Sequence, residues 1–366
     1  MKKFRLAAVI GRFQPFHNGH LDLLRHAAEI AEQVVVIIGS TEQPRSLRNP
    51  FTFEERRAMI GASCSDIDPD VLSVPDTPYD LPAWQQRVQL AVASVSPSLK
   101  KGEVTIVGCN KDSSTFYLGL FPQWTHTDPL RDGKVDVELN ATIIREQMFN
   151  ATHVIDRDRE WWLKVDGRCA VPEPVASMLT GFVGTPEFQS LQREHEFVRD
   201  YRARMRFVGA PYAPTMQTVD AVVIQGGHVV LVKRGSFPGK GLGALPGGYV
   251  NQDETLIEAA IRELREETLI NVPDNIIRSS IIASMTFDDP HRDPRGRVFT
   301  QAFLIDLDHE LQNRIRRWGT SKSGLSRIEG GDDAAKATWV PVSELDPQRM
   351  YADHYHIIGK MLGFKK

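Results

Sequence analysis

Cysteine is scarce in this 366-residue sequence: Cys64, Cys109 and Cys169 are its only three, far apart and odd in number. They make neither a disulfide framework nor, by spacing, a zinc ligand set, and they fit a reducing, cytoplasmic setting. Long apolar runs are missing too. After Met1-Lys2-Lys3 the run Leu6 to Ile10 is too short for a signal peptide and Arg12 follows at once, while no stretch approaches the ~18 apolar residues of a membrane helix. The expectation is neither secretion nor contact with a membrane. Neither sign of charge dominates. With 44 Lys and Arg against 47 Asp and Glu, the net charge of -3 gives no global basic field. That argues against nucleic acid as a partner and still allows a local basic pocket for a nucleotide. Internal repeats and low-complexity tracts are absent, and assembly into a homo-oligomer is left open.

What is present is the composition of a globular protein, 41% hydrophobic and 25% charged, in a chain long enough for about two or three domains. From the N-terminus, β-branched runs alternate with helical patterns. Strands are predicted at Phe4 to Ile10, Val34 to Ile38, Val71 to Val74 and Val104 to Val107, with helices near His20 to Glu32, from Phe53, and around Trp84 to Ser94. Thr52 followed by Glu55 is a capping-box signal for the second helix. This alternation predicts a doubly wound α/β domain with a parallel sheet. After about residue 170 a charged stretch, Glu187 to Arg206, reads as a connecting helix. From Thr218 the pattern becomes strand-rich, with a Gly226-Gly227 hairpin signal and a helix at Thr255 to Thr268. Strands near Ile276 to Phe287 and Val298 to Leu307 and a last helix near Asp353 to Leu362 complete an α+β pattern.

Directly after the first strand stands Gly11-Arg12-Phe13-Gln14-Pro15-Phe16-His17-Asn18-Gly19-His20, leading into the first helix. Ligands of open α/β sheets sit beyond the carboxyl ends of strands, and a helix start offers unpaired N–H groups to phosphate. Glycine admits close backbone approach, while two imidazoles and a guanidinium can donate to phosphoryl oxygens. The string resembles the signature of H-x-G-H nucleotidyltransferases, and its G-R-F-Q-P-F-H form is similar to archaeal-like nicotinamide mononucleotide adenylyltransferases. Arg48-Asn49-Pro50-Phe51-Thr52, with Glu55 and Arg56, resembles a further family segment, and Asn140-Ala141-Thr142-Ile143-Ile144-Arg145 resembles the second family motif. The resemblance implies a Rossmann-like domain that binds ATP and nicotinamide mononucleotide. It implies Arg12, His17, His20 and Arg145 as the groups that stabilise the reacting phosphates. Gly11, Phe13, Arg48, Trp84, Asn140 and Thr142 would bind substrate, with Trp84 stacking on the nicotinamide ring. Asn140 departs from the small residue usual there. Lys111, in the loop after the Val104 strand, is a further candidate for phosphate contact. Read without the family, His17 and His20 could simply cap the helix, Trp84 could be a core aromatic, and Arg48 and Arg56 solvated helix charges.

Residues 248 to 270 carry Gly248-x5-Glu254-x7-Arg262-Glu263-Leu264-Arg265-Glu266-Glu267-Thr268-Leu269-Ile270. At about 100° per residue, Glu263, Glu266 and Glu267 share one helical edge, while Ile257, Ala260, Ile261 and Leu264 form a separate apolar stripe. Carboxylates so crowded repel one another unless divalent cations neutralise them, and hard oxygen ligands suit Mg²⁺, with Mn²⁺ as an alternative. The segment resembles the Nudix box. That implies Gly248, Glu263 and Glu267 as metal ligands, Glu266 as a ligand or water-orienting group, and Arg262 as the residue orienting a glutamate. The box glycine near the helix end is Leu269 here, so the helix exit is expected to pass to Asn271. Gly330-Gly331-Asp332-Asp333-Ala334 and the loop 288 to 297 are candidates for substrate contact.

Together the two resemblances cover about residues 4 to 150 and 216 to 345. They imply a nucleotidyltransferase domain at 1–170, a helical connector at 171–214 and an α+β Nudix domain at 215–366. The family's activities are synthesis of NAD from nicotinamide mononucleotide and ATP, and hydrolysis of ADP-ribose to AMP and ribose 5-phosphate. The rivals are another H-x-G-H adenylyltransferase, acting on pantetheine phosphate or FMN, hydrolysis of another nucleoside diphosphate derivative, and a non-catalytic C-terminal sensor of ADP-ribose.

Overall fold

The computed structural model describes residues 2–100, 102–110, 113–129, 139–150, 164–165, 168–205, 213–308, 324–331 and 334–364. The chain divides into two compact units, Met1–His195 and Glu196–Lys366. Among the described residues no helix is long and apolar enough to cross a membrane.

In the first unit, strands β1 (Phe4–Gly11), β2 (Ala31–Ile38), β3 (Asp70–Ser73), β4 (Val104–Val107) and β5 (Thr125–Thr127) form a sheet of order β3-β2-β1-β4-β5. Every pairing is parallel. Helices α1 (Asn18–Ile30), α2 (Phe53–Ser63) and α3 (Leu81–Val95) connect its strands. Such a sheet is covered on both faces, which is why β1 reads as a continuous apolar run. Its Ala7 and Val9 enter one core with Leu24, Val36 and Ile60, while Leu6 and Ala8 enter another with Val35, Val88 and Ile106. The Thr52–Glu55 capping box forms at the start of α2.

A helix α4 (Ala141–Asn150) and a two-stranded ribbon, β6 (Lys164–Val165) with β7 (Arg168–Cys169), follow. The helix expected from Glu187 to Arg206 is α6 (Pro186–Arg204), and one that the sequence reading did not place, α5 (Glu173–Val183), precedes it. Pro174 in the first turn of α5 starts a helix rather than breaking one. Its Val175, Ala176, Leu179 and Phe182 are buried at helical spacing, and Phe188 and Leu191 of α6 belong to the same core.

The second unit is built on a mixed seven-stranded sheet among the described residues. Its strands are β8 (Thr215–Gln225), β9 (His228–Arg234), β10 (Gly243–Ala244), β11 (Gly247–Tyr249), β12 (Ile281–Phe287), β13 (Arg297–Asp306) and β14 (Ala334–Pro341). β8 runs parallel to β13 and antiparallel to β9 and β11. Gly226 and Gly227, at φ of +54° and +73°, make the predicted hairpin turn. Helix α7 (Leu256–Thr268) lays Ala260, Ile261 and Leu264 on the sheet, with Ile257 partly buried beside them. The strand expected from Ile276 onward begins only at Ile281. Before it lies α8 (Asp274–Ser279), whose Ile276 and Ile277 are buried, because Pro273 and Asp274 supply a helix start that the apolar run concealed. The closing helix is α9 (His354–Leu362).

Candidate active sites

Beyond the carboxyl end of β1 the chain turns through Phe13, which takes a left-handed φ of +52°. A Cβ on Gly11 would stand 3.0 Å from the Phe13 ring, so a larger residue there would have to displace the ring. His17 is the N-cap residue of α1. Its N–H donates to His20 Nδ1 at 3.3 Å, and the two rings stack with centroids 3.6 Å apart. His20 also packs against Phe13 and Phe16. Helix capping and anion binding are therefore not alternatives, since the cap geometry sets both imidazoles at the start of α1.

Three guanidiniums meet there. Burial, and then the like charges of Arg48 and Arg145, push Arg12 down to about 9; burial and Arg48 push Arg145 down to about 10. Arg12 Nη1 is buried with no hydrogen-bond partner among the described residues. Arg145 Nη1 donates to the Gln14 carbonyl at 2.6 Å and Nη2 to Thr142 Oγ1 at 3.1 Å. Arg56 is not a solvated charge: it is 1% exposed and donates to the carbonyls of Thr52, Arg12, Gly39 and Ser40. Asn140 Oδ1 accepts from the Thr142 N–H at 2.8 Å, so the larger residue caps α4 through its own side chain. Trp84 is half-buried, edge-on to Tyr117 and beside Phe121. Lys111 lies outside the described residues. Clustered cations and two imidazoles at a strand end suit a polyanion.

The second site is a cavity of about 440 Å³ lined in part by Gly248, Arg262, Glu263, Glu266 and Glu267. Arg262 gathers carboxylates: it donates to both oxygens of Glu254 at 2.9 and 2.6 Å, to Glu263 at 2.8 Å and to Glu266 at 2.9 Å. Glu267 accepts from the Gly247 N–H at 3.0 Å. Burial first, with Glu263 and Asp220 adding like charge, raises its carboxyl to about 7; burial raises Glu263 also. A Cβ on Gly248 would lie 2.5 Å from Glu263 Oε1, so the carboxylate occupies the space a side chain would fill. Desolvated, mutually repelling carboxylates facing a cavity fit a divalent cation with oxygen ligands. Among the described residues no three His, Cys, Asp or Glu side chains close around one point.

The exit of α7 corrects an expectation. Leu269 itself takes the left-handed conformation, at φ +44°, and its N–H returns to the Arg265 carbonyl. Asn271 instead donates its N–H to the Arg327 carbonyl. The helix end is closed from outside, by Glu329 N–H on the Thr268 carbonyl at 2.8 Å and Gly331 N–H on that of Glu267 at 3.1 Å. A Cβ on Gly331 would lie 2.3 Å from the Glu266 carbonyl oxygen. Gly331→Ala should therefore destabilise this unit by about 1–3 kcal/mol and lower hydrolysis with it, measured by thermal melting and turnover. Asp332 and Asp333 lie outside the described residues.

Charges in the loop 288 to 297 are largely spent internally: Arg295 pairs with Asp293, and Arg292 with Asp353 of the segment before α9. Of four residues lining or supporting the cavity, Arg292 falls in the loop singled out from the sequence, while Asp220, Asp353 and His354 carried no signal there. Asp220 sits on β8 opposite Gly247, and Arg292, Asp353 and His354 stand behind it, each under 10% exposed. A lone Asp within a strand and a distant Asp-His pair offer no spacing that could join them.

Comparison with known proteins matches the two halves of the chain to two families. Residues 8–111 match the family described as Cytidylyltransferase-like, and residues 214–361 the family described as NUDIX domain. The chain is 30% identical over 200 residues to a nicotinamide/nicotinic acid mononucleotide adenylyltransferase of Acinetobacter baylyi, covering 53% of this chain and 95% of that protein. It is 30% identical over 148 residues to an ADP-ribose pyrophosphatase of Methanocaldococcus jannaschii, covering 40% of this chain and 73% of that one. The crystal structure of a bifunctional NMN adenylyltransferase/ADP ribose pyrophosphatase from Francisella tularensis superposes with a TM-score of 0.82 at 31% identity, covering 98% of this chain and 99% of that chain. A second Francisella tularensis structure, complexed with AMP and a Mn ion, gives 0.80.

Proposed function

Because the chain belongs to the family of bifunctional nicotinamide mononucleotide adenylyltransferase/ADP-ribose pyrophosphatases, we propose that each unit carries one of the two activities at the site described for it. The enzyme makes NAD and pyrophosphate from ATP and nicotinamide mononucleotide, and hydrolyses ADP-ribose to AMP and ribose 5-phosphate. The first assignment of place rests on the buried guanidinium cluster at the H-x-G-H helix start, whose Arg12 Nη1 lacks a partner. Phosphate oxygens supply that partner and relieve the repulsion among Arg12, Arg48 and Arg145.

In this unit the 5′-phosphate of the mononucleotide attacks the α-phosphorus of ATP in line, and pyrophosphate leaves. The attacking phosphate is already ionised, so no general base is needed. His17, His20, Arg12 and Arg145 stabilise charge spreading over phosphoryl oxygens, and the start of α4 at Thr142 orients them. Gly11 and Phe13 shape the turn against which the nucleotide lies, and Trp84 offers its face to the nicotinamide ring. In the second unit Glu263 and Glu267 would hold the cation, with the Gly248 backbone beside them. Arg262 fixes Glu263 and Glu266, and Glu266 orients water. A divalent cation, which we assign as Mg²⁺ with Mn²⁺ able to substitute, neutralises the diphosphate and acidifies water when bound. The three free cysteines suit the cytoplasm.

Mass-spectrometric identification of products decides the reading. Incubation with ATP and either the amide or the acid mononucleotide should release pyrophosphate and a dinucleotide, and incubation with ADP-ribose should give AMP. Turnover of pantetheine phosphate or FMN instead would replace the first half. Binding of ADP-ribose without cleavage would leave the second unit a sensor.

A further inference from the structure

Behind the carboxylate helix, the same cavity holds a second polar cluster that the chemistry above does not use. Asp220 is 5% exposed and lines the cavity, yet its carboxylate makes no hydrogen bond among the described residues. Its nearest cationic atom is Arg292 Nη2 at 3.7 Å, and that guanidinium is committed to Asp353 through two bonds of 3.0 and 3.1 Å. A buried carboxylate that lacks short hydrogen bonds is costly, unless a ligand completes it.

The neighbouring His354 is 6% exposed and lines the cavity too. Its Nδ1 accepts the Leu245 N–H at 2.9 Å. That bond needs the Nδ1 lone pair, so the neutral ring carries its proton on Nε2 and can only donate from there. Burial, the largest influence, lowers its basicity in the same sense, outweighing Asp220 and Asp353, which raise it, while Arg292 and Arg234 lower it further. Asp220 Oδ1 lies 3.9 Å from His354 Nδ1, beyond hydrogen-bond reach. The two cavity-lining residues thus offer an acceptor, the Asp220 carboxylate, and a donor, the His354 imidazole, that do not hydrogen-bond through Nδ1.

A metal ion fits this pair poorly. The His354 Nε2 that could face it bears a proton, and the Arg292 cation already stands next to Asp220. A hydroxyl pair fits, since one hydroxyl can donate to a carboxylate while its neighbour accepts from an imidazole N–H.

We propose that Asp220 and His354 hold the vicinal hydroxyls of a ribose of the substrate, making them the specificity-determining residues of the hydrolytic site. The assignment rests on the ADP-ribose reading of this unit and selects among diphosphates by sugar rather than by phosphate. Sites built to hydrogen-bond a substrate hydroxyl discriminate strongly, because their own polar groups are stranded when it is missing.

The test compares kcat/KM of wild type and Asp220→Ala on three compounds: ADP-ribose, its 2′-deoxyadenosine analogue, and the methyl ester of ADP, which has no terminal ribose. Asp220→Ala should lose about 10- to 10²-fold on ADP-ribose, the size of a hydrogen bond to a charged group. It should lose much less on one analogue, the methyl ester if the terminal ribose is held, the deoxy compound if the adenosine ribose is. His354→Phe should repeat the pattern and His354→Gln, which keeps an amide donor, should soften it. Equal losses on all three compounds would overturn the inference and make the cluster structural or cation-binding. So would undiminished activity on ADP-ribose. If Asp220→Ala melts early, Asp220→Asn, of the same shape, is read by the same comparison. Failure of the wild type to cleave ADP-ribose would instead remove the reading on which the inference stands.

Discussion

His17→Ala should lower the rate of NAD formation from ATP and nicotinamide mononucleotide by about 10²-fold or more, the cost of one preorganised charge-stabilising donor. ADP-ribose hydrolysis by the same preparation should be unchanged. The imidazole stands at the N-cap of α1, stacked on His20 at 3.6 Å, at the place proposed for the transferring phosphoryl group. Because it is also the cap, alanine removes a structural element worth about 1 kcal/mol, which a melting curve reports separately. A destabilised but fully active variant would reduce His17 to a cap and remove the phosphate site proposed around it.

Glu267→Gln should abolish ADP-ribose hydrolysis, a fall of about 10²-fold or more, without unfolding the second unit. Glutamine is nearly isosteric and its carbonyl can still accept the Gly247 N–H that Glu267 takes at 3.0 Å, so the melting temperature should hold. It removes the charge that makes the buried edge of α7 a cation site. EDTA should abolish wild-type hydrolysis in the same way. Full activity in the variant would make the carboxylates of α7 a passive acidic edge with Arg262 as their partner.

The sequence made one kind of site legible and hid another. Where chemistry is written along consecutive residues, as in Gly11 to His20 or Arg262 to Glu267, the local element carries the geometry, and a strand-to-helix turn or a single helix edge can be read directly. The core of β1 and the stripe of α7 were legible for the same reason, since their period is that of the element. Asp220 and His354 line one cavity, with Asp353 held behind them on Arg292, yet they come from a strand and a helix start far apart in the chain, and no spacing joins them. Arg56 shows the limit from the other side. Its place at the start of α2 suggested an exposed helix charge, but the carbonyls it binds belong to loops whose approach depends on the parallel register of β1 and β2. At Leu269 the residue type argued against a left-handed exit, and the tertiary closure by residues 329 and 331 prevailed.

By clasping the carbonyls of Arg12, Gly39 and Ser40 from α2, Arg56 ties the turns after β1 and β2 to the centre of the fold. The Gly39 amide is bonded to the Gly11 carbonyl, and the Phe51 amide to Gln14 Oε1, so the loops after β1 and β2 and the entry to α2 share one buried set of bonds. These loops cannot fray singly, because releasing any of them strands a buried guanidinium. In native-state hydrogen exchange the amides of Gly39 and Phe51 should therefore open only with the whole first unit, at its global unfolding free energy rather than that of a surface loop.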